Sequence, residues 1–414
     1  MPIRASISSN NTLRALLILY SSALLSGIGW AMIIPTIPVL STYFNVSVGT
    51  AAQTVTAYAV GRFVGTPISG VMLDRLGTRA ALVSGPVVVC MGALLAATTS
   101  WFEVFLASVL LIGAGDSIWA MGREVAGIDL TRQNLRGRIL SGFHGIHNGG
   151  QAFGPLLGGL LTEAVSFKAV FLVYAACAMV SVFIGFISHN ARSPRAARQG
   201  PDSVKGWGIA SVLQRLRGIA DLFKQIQPHF RATYAVFVFA TLTSFVFRIT
   251  IQSMLPLYAG SHLGFTPTEV GLLFSISGFF VFVMILPAGF VLDKVGRKWA
   301  TVPSNAIPAL AFLLIPYSDS FPQLAVLVSL TGIAIGLSLG SLATSTFDIV
   351  PPSARGRLQA ARRMVADIGG VGATLFAGLL ADAFNPGVPF LVYAPLLMLS
   401  TLLLAVVSRE TLER

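Results

Sequence analysis

The sequence predicts an all-α membrane protein: twelve transmembrane helices in two parallel six-helix repeats. Three observations lead there. Only 11% of the 414 residues are charged and 54% are hydrophobic, whereas soluble proteins carry about 25% charged residues. Long apolar runs take the place of the missing charge, and a spanning helix needs about 20 apolar residues. Second, the charged turn Gly70-Val71-Met72-Leu73-Asp74-Arg75-Leu76-Gly77-Thr78-Arg79 recurs 219 residues later as Gly289-Phe290-Val291-Leu292-Asp293-Lys294-Val295-Gly296-Arg297-Lys298. Each copy sits between two apolar runs, with Gly where backbones approach or turn sharply. Third, with the N-terminus inside, 25 of the 28 Lys and Arg fall on the inner side. That asymmetry puts both termini in the cytoplasm and accounts for the net charge of +12 without nucleic acid.

The spans follow in order. The first, 14–40, comes after Arg4 and Arg14 like a signal peptide, but it is too long and is followed by many more, so it reads as an uncleaved first helix. It carries Gly29, Trp30 and Pro35-Thr36-Ile37-Pro38. The second, 48–72, holds Arg62 near its middle. The third, 79–99, contains Cys90. The fourth, 102–124, carries Gly113-Ala114-Gly115, then Asp116, Trp119, Arg123 and Glu124, the last two expected at the interface. The fifth, 138–161, carries Phe143, His144, His147 and Gln151. The sixth, 168–188, contains Cys177. Both cysteines read as free, packed thiols.

Residues 189–230 form the one long connection, a basic linker that runs into an amphipathic helix or simply a solvated joint. It separates an N-terminal half, 1–188, from a C-terminal half, 231–414. The second half has spans at 231–257 (with Phe247 and Arg248), 268–291 (Phe279), 299–317, 322–346, 358–383 (Asp367) and 387–408 (Tyr393). No run shows a clean 3.6-residue stripe, as expected where lipid is the outer solvent. The duplication extends beyond the turns. Asp129, Arg136, Gly137 and Arg138 match Asp348, Arg355, Gly356 and Arg357, and Gly150 and Gly159 match Gly369 and Gly378. Halves repeated in the same orientation are parallel repeats.

Charges deep in a span are costly, about 2.5–3.5 kcal/mol each at the helix centre. Arg62, Asp116, Arg248 and Asp367 therefore face a cavity or one another. Asp116, Asp367 and Arg62 are candidates for proton coupling. Arg248, Gln151, Trp30, Trp119 and Phe247 are candidates for a substrate cavity, with ordinary packing as the alternative for each aromatic ring. His144 and His147 share a helix face and read as a proton relay or as polar lining. No Walker loop, nucleophile elbow or zinc pattern is present. The chain is therefore expected to be no enzyme, to hold no cofactor or metal, and to draw energy from gradients.

These residues resemble the major facilitator superfamily over nearly the whole chain. Its hallmark turn, G-x-x-x-D-R-x-G-x-R, fits Gly70, Asp74, Arg75, Gly77 and Arg79. The second copy supplies Gly289, Asp293, Lys294, Gly296, Arg297 and Lys298. The first helix's Pro35-Thr36-Ile37-Pro38 is similar to the P-x-x-P of the drug:proton antiporter branch. Gly150, Gly154, Pro155, Gly158 and Gly159 fit that branch's G-x-x-x-G-P-x-x-G-G. The branch's intramembrane Arg, four residues before G-x-G, is replaced by Val109, which weighs against proton antiport and the drug label. The resemblance implies a conformational latch of Gly70, Asp74, Arg75, Gly77, Arg79, Asp129 and Arg136, repeated in Asp293, Arg297, Asp348 and Arg355, with Arg79 pairing with Asp129. Topology anchors are the plainer reading.

The function expected is a monomeric secondary transporter in the cell (inner) membrane. It would work by alternating access and export a small hydrophobic or amphiphilic compound, with protons as partner. Two rivals stand beside it: an organic anion or metabolite carrier using Arg62 and Arg248, and a non-transporting receptor or scaffold.

Overall fold

The helices are built for lipid. Their exposed side chains include Phe153, Phe183 and Leu286, the last 83% exposed, a surface that water would not tolerate but hydrocarbon does. The computed structural model describes residues 9–129, 136–187, 223, 225–351 and 354–411, with the side chains of 9–15, 129, 136–141, 187 and 355–357 outside that description. The expected amphipathic helix of the 189–230 linker also lies outside the described residues.

Helix α1 (Ser9–Ala31) stops before the two prolines. A 3-10 turn at Ile34–Thr36 and a short helix α2 (Ile37–Tyr43) follow. Pro35 has no N–H to continue the α-helical ladder, and the Thr36 hydroxyl donates to the Ile33 carbonyl at 2.6 Å. Then come α3 (Val48–Leu76), α4 (Thr78–Thr98), α5 (Phe102–Asp129), α6 (Arg136–Ala164) and α7 (Phe167–Ile187). The second part of the chain holds α8 (Pro228–Leu257), α9 (Pro267–Phe290), α10 (Arg297–Thr301), α11 (Pro303–Leu314), α12 (Phe321–Ser338), α13 (Ser341–Ile349), α14 (Arg355–Ala383) and α15 (Val388–Val406). Helix α9 opens on a capping box: Thr266 Oγ1 accepts from Glu269 N, Glu269 Oε2 accepts from Thr266 N, and Pro267 follows at the first helical position. Two orphan donors are thereby satisfied.

Among the described residues ten segments are long and apolar enough to cross a membrane. Helices α3 and α6 are not among them, although each has 29 residues. They carry Tyr58 and Arg62, and His147 and Gln151, polar side chains that the site described below draws on.

The chain divides into two units, residues 1–39 with 57–200, and residues 40–56 with 201–414. Within the second unit Asp382 accepts from Gly49 N and Ser47 Oγ, both at 2.7 Å. In the first unit α1 packs on α6 and α7, and α4 packs on α5 and α7. In the second, α8 packs on α14 and α15, and α11 packs on α12 and α15.

The repeated turns differ from expectation in one respect. Gly77 and Gly296 have φ of 86° and 148°, conformations that favour glycine. Gly70 and Gly289, however, have nothing within 4 Å of an added Cβ, so neither is needed for close approach here.

Candidate functional site

Five helices of the first unit converge on Asp116. Helix α1 offers Ser22 and Ser26, α3 offers Tyr58 and Arg62, and α6 offers His147 and Gln151. Each pair is spaced i,i+4 and so shares a face. Helix α5 offers Asp116, Trp119 and Arg123. Helix α7 adds Tyr174, fully buried with its hydroxyl unpartnered. Gly61 and Gly113 let the backbones of α3 and α5 touch, since a Cβ on either would strike the other helix's carbonyl. That closeness brings Arg62 to Asp116.

Asp116 is 1% exposed. It accepts from Ser26 Oγ at 2.7 Å and from Tyr58 OH at 2.9 Å, and Arg62 Nη1 lies 3.5 Å away. Arg123 is also buried. It donates to the Ser22 carbonyl at 3.1 Å and to Ser26 Oγ at 3.4 Å, so the Ser26 hydroxyl links the second guanidinium to the carboxylate. Below it, the Trp119 ring lies 4.7 Å from the Arg123 guanidinium carbon, and its N–H donates to Ser22 Oγ at 2.8 Å. Trp30 stacks on Tyr58 with centroids 3.3 Å apart and fixes that phenol.

A cavity with about 410 Å³ of empty space, part of it open to solvent, reaches the cluster. Arg62, Asp116, Arg123, Glu124, His144 and His147 line it. The exposed His144 and Glu124, 3.9 Å apart, hold its rim. His147 Nδ1 is 3.4 Å from the Ala23 carbonyl, and its Nε2 is 3.1 Å from Gln151 Nε2. A neutral ring protonated on Nδ1 satisfies both contacts. One buried carboxylate therefore serves two guanidiniums. Removing its charge would leave both without compensation, which is costly at low dielectric. A change in its protonation is thus felt on α1, α3 and α5 together.

The second unit has its own charged groups. Arg297 donates from Nε to Asp348 at 3.1 Å, and from Nη1 to Asp293 at 3.2 Å and to the Leu292 carbonyl at 2.9 Å. Glu410 accepts from the backbone N–H of Arg297 and Lys298 at 2.9 and 3.2 Å. Arg363 donates from Nε to both oxygens of Asp367 at 3.1 Å. Arg248 donates to Ser338 Oγ.

A family model described as Major Facilitator Superfamily matches residues 19–247 and 236–414. The chain belongs to the major facilitator superfamily. It is a membrane transporter, not an enzyme. Multidrug resistance protein 2 of Bacillus subtilis (strain 168) is 23% identical over 298 residues, which cover 72% of this chain and 70% of that protein. Citrate exporter 1 of Aspergillus niger is 25% identical over 246 residues, 58% of this chain and 45% of the exporter. A crystal structure of a D-xylose–proton symporter matches with a TM-score of 0.76 at 16% identity, covering 98% of this chain and 99% of that one. A peptide transporter matches at 0.77 and 12%, covering 95% and 94%. Both structural likenesses speak to the fold alone.

In the second copy of the superfamily's hallmark turn, Arg297 joins Asp293 and Asp348. In the first, Asp74 and Arg75 are exposed, and no ion pair to either is seen among the described residues. Arg79 was expected to pair with Asp129, whose side chain lies outside the described residues. Arg79 donates to the Phe186 carbonyl at 2.8 Å and lies over the Phe186 ring at 5.9 Å. A carbonyl oxygen carries partial negative charge and accepts hydrogen bonds, which suits a guanidinium. The side chains of Asp129, Arg136 and Arg355 lie outside the described residues. Arg297→Gln is expected to lower the thermal midpoint in detergent, by an amount equivalent to about 1.5–3 kcal/mol for hydrogen bonds to charged groups. Lys294→Gln, at an exposed position, should leave it unchanged. Equal midpoints for the two variants would reduce the Arg297 cluster to a surface feature.

The glycine-rich stretch of α6 is a seam. A Cβ on Gly150 would lie 2.6 Å from the Leu24 carbonyl oxygen, one on Gly154 2.7 Å from that of Ile28, and one on Gly158 inside the Met32 carbonyl. The contact advances by four residues on both helices at each step. Pro155 lies within the same stretch of α6, and Gly159 follows it.

Other expected cavity residues are placed elsewhere. Trp119 is fully buried beneath Arg123, Trp30 is buried against Tyr58, and Phe247 is buried with its ring 5.5 Å from Phe312. Asp367 is satisfied by Arg363 one turn away on its own helix. Gln151 holds His147. Arg123, expected at the interface, is the largest revision. Asp116 and Arg123 are seven residues apart, two turns on one face, and that spacing was the available signal.

Proposed function

We propose that this transporter is a secondary active exporter of a small hydrophobic or amphiphilic compound, working by alternating access and driven by proton uptake at Asp116. The observation that carries the reading is Asp116 itself: a buried carboxylate, reached by a cavity, held by Ser26, Tyr58 and Arg62. Coupling needs a group whose proton affinity differs between two states. The Arg62 pair spans α3 and α5, so helix movement that changes its 3.5 Å separation changes that affinity. Export is supported by the multidrug resistance relative. The test is a proteoliposome assay. An imposed pH gradient should drive accumulation of an amphiphilic dye above its downhill level, and collapse of the gradient by a protonophore should abolish it. Accumulation that ignores the gradient would sink the coupling.

The architecture belongs to the same reading: twelve spans in two parallel repeats, a monomer, both termini cytoplasmic in the cell membrane. Support comes from the pairing of helices, since α1 with α6 corresponds to α8 with α14, and α4 with α5 and α7 corresponds to α11 with α12 and α15. In a background where Cys90 and Cys177 are replaced, single cysteines at Arg195 and Lys294 should be labelled only after the membrane is opened. Cysteines at Asn45, Lys168 and Asp319 should be labelled in sealed cells. Labelling of position 195 in sealed cells would overturn this topology.

A further inference from the structure

The second unit contains more positive charge than its own carboxylates neutralise. Arg248 on α8, and Arg362 and Arg363 on α14, bring three guanidiniums to neighbouring helix turns. Among the described residues only Asp367 pairs with any of them, and it takes Arg363. Arg363 also lies over the Phe245 ring at 4.4 Å. Arg362 is buried, yet satisfied by neutral oxygens: Thr241 Oγ1 at 2.6 Å and Gln359 Oε1 at 2.9 Å. Arg248 differs from both. Its one hydrogen bond among the described residues goes to the Ser338 hydroxyl, while a guanidinium has five N–H donors. One turn before it, on the same helix face, Ser244 is 8% exposed and its hydroxyl has no partner. A hydroxyl left unpaired in a buried setting is costly, and so is a cation in a membrane span. Both costs fall if an anion lies against this face of α8.

We propose that Arg248, with Ser244 and Ser338, forms an anion subsite in the second unit, and that the exported compound carries a carboxylate or phosphate group which this guanidinium binds. The proposal rests on the export reading above and narrows its substrate class to amphiphilic organic anions. The apolar part of such a compound would lie against aromatic surface of the kind Phe245 provides, since it already carries the flat guanidinium of Arg363. The anionic group could also belong to a lipid headgroup; the assignment made here is to the substrate.

The test uses the full chain in detergent and three probes with one ring system: 2-naphthoate, the neutral 2-naphthylmethanol and the cationic 2-naphthylmethylammonium. Wild type should bind 2-naphthoate saturably by calorimetry. Arg248→Gln should weaken that binding at least about tenfold, the scale of one lost charge-assisted hydrogen bond, and leave 2-naphthylmethanol unchanged. Arg248→Lys should recover part of the loss, because it restores a point charge without the fork. Ser338→Ala removes one neutral contact of the subsite but keeps the charge, and should weaken 2-naphthoate binding less than Arg248→Gln does; retained 2-naphthylmethanol binding in each variant shows that the pocket folds. Equal binding of 2-naphthoate to wild type and Arg248→Gln would overturn the subsite, and so would a preference of wild type for the cationic probe. Nanodiscs of phosphatidylcholine with and without phosphatidylglycerol separate the sources. If the anionic lipid alone abolishes 2-naphthoate binding in an Arg248-dependent way, the occupant is a headgroup and the substrate assignment falls. Transport separates this proposal from the one it rests on. Gradient-driven accumulation of the cationic probe without 2-naphthoate binding would keep proton-driven export and overturn the subsite. Arg248-dependent 2-naphthoate binding without accumulation of any probe would keep the subsite and count against export.

Discussion

Asp116→Asn is expected to abolish accumulation driven by a pH gradient, with a fall of at least about tenfold at equal expression, while downhill exchange of substrate persists. The side chain keeps its shape and one carbonyl oxygen, so either the Ser26 hydroxyl or the Tyr58 hydroxyl can still donate to it. What disappears is the charge that Arg62 and Arg123 share, and with it a group that titrates. Wild-type accumulation should steepen as the proton gradient is raised; the variant should be flat. The substitution also carries a folding cost. The Arg62 side chain is 43% exposed at the cavity, but Arg123 is 4% exposed and loses its counter-charge, so the thermal midpoint should fall. Asp116→Asn combined with Arg62→Gln removes one of the two stranded cations, leaves Arg123, and should recover part of the midpoint but none of the coupling. Accumulation in the single variant with wild-type pH dependence would exclude Asp116 as the proton site. Recovery of gradient-driven accumulation in the double variant would make the pair structural.

The parts of this molecule that were legible in the sequence are those a bilayer dictates locally. Span length and the repeated turn follow from where water ends, and neither requires knowledge of packing. Asp116 was legible for the same reason, since a lone carboxylate in an apolar run has no neutral explanation. The partners of Asp116 were not. In a soluble helix the polar face reports orientation, but here lipid-facing and packed faces are equally apolar, so Tyr58 and Ser26 could not be turned toward α5 from the sequence. Arg123 shows a second source of error. A span ending at 124 makes Arg123 terminal, whereas α5 runs on to Asp129 and leaves Arg123 well over a turn inside the helix. Arg79 shows a third: reasoning from side chains gave no sign of its hydrogen bond to the backbone carbonyl of Phe186.

Gly158→Ala is expected to lower the folded yield and thermal stability, although intrinsic helix propensity argues the other way. Alanine is favoured over glycine in a helix by about 0.8–1 kcal/mol, so a methyl group in open space should help. At Gly158 the methyl group would enter the Met32 carbonyl. A flexible side chain could swing aside, but what the methyl group meets is the Met32 backbone, just past the end of α1, so relief requires α6 to back away from α1. That movement would open the contacts at Gly154 and Gly150 as well, because the three steps of the seam share one register. Overpacking of this kind costs about 1–3 kcal/mol and sometimes more, and the lost dispersion along the seam adds to it. The same helix supplies its own controls. Gly145 and Gly149 have nothing within 4 Å of an added Cβ, so Gly145→Ala and Gly149→Ala should match or slightly exceed wild type. Monodispersity by size exclusion and thermal midpoints in one mild detergent compare all three variants directly. If Gly158→Ala rises with the controls, α1 and α6 are not in backbone contact, and the G-x-x-x-G-P-x-x-G-G stretch owes its glycines to something other than this seam.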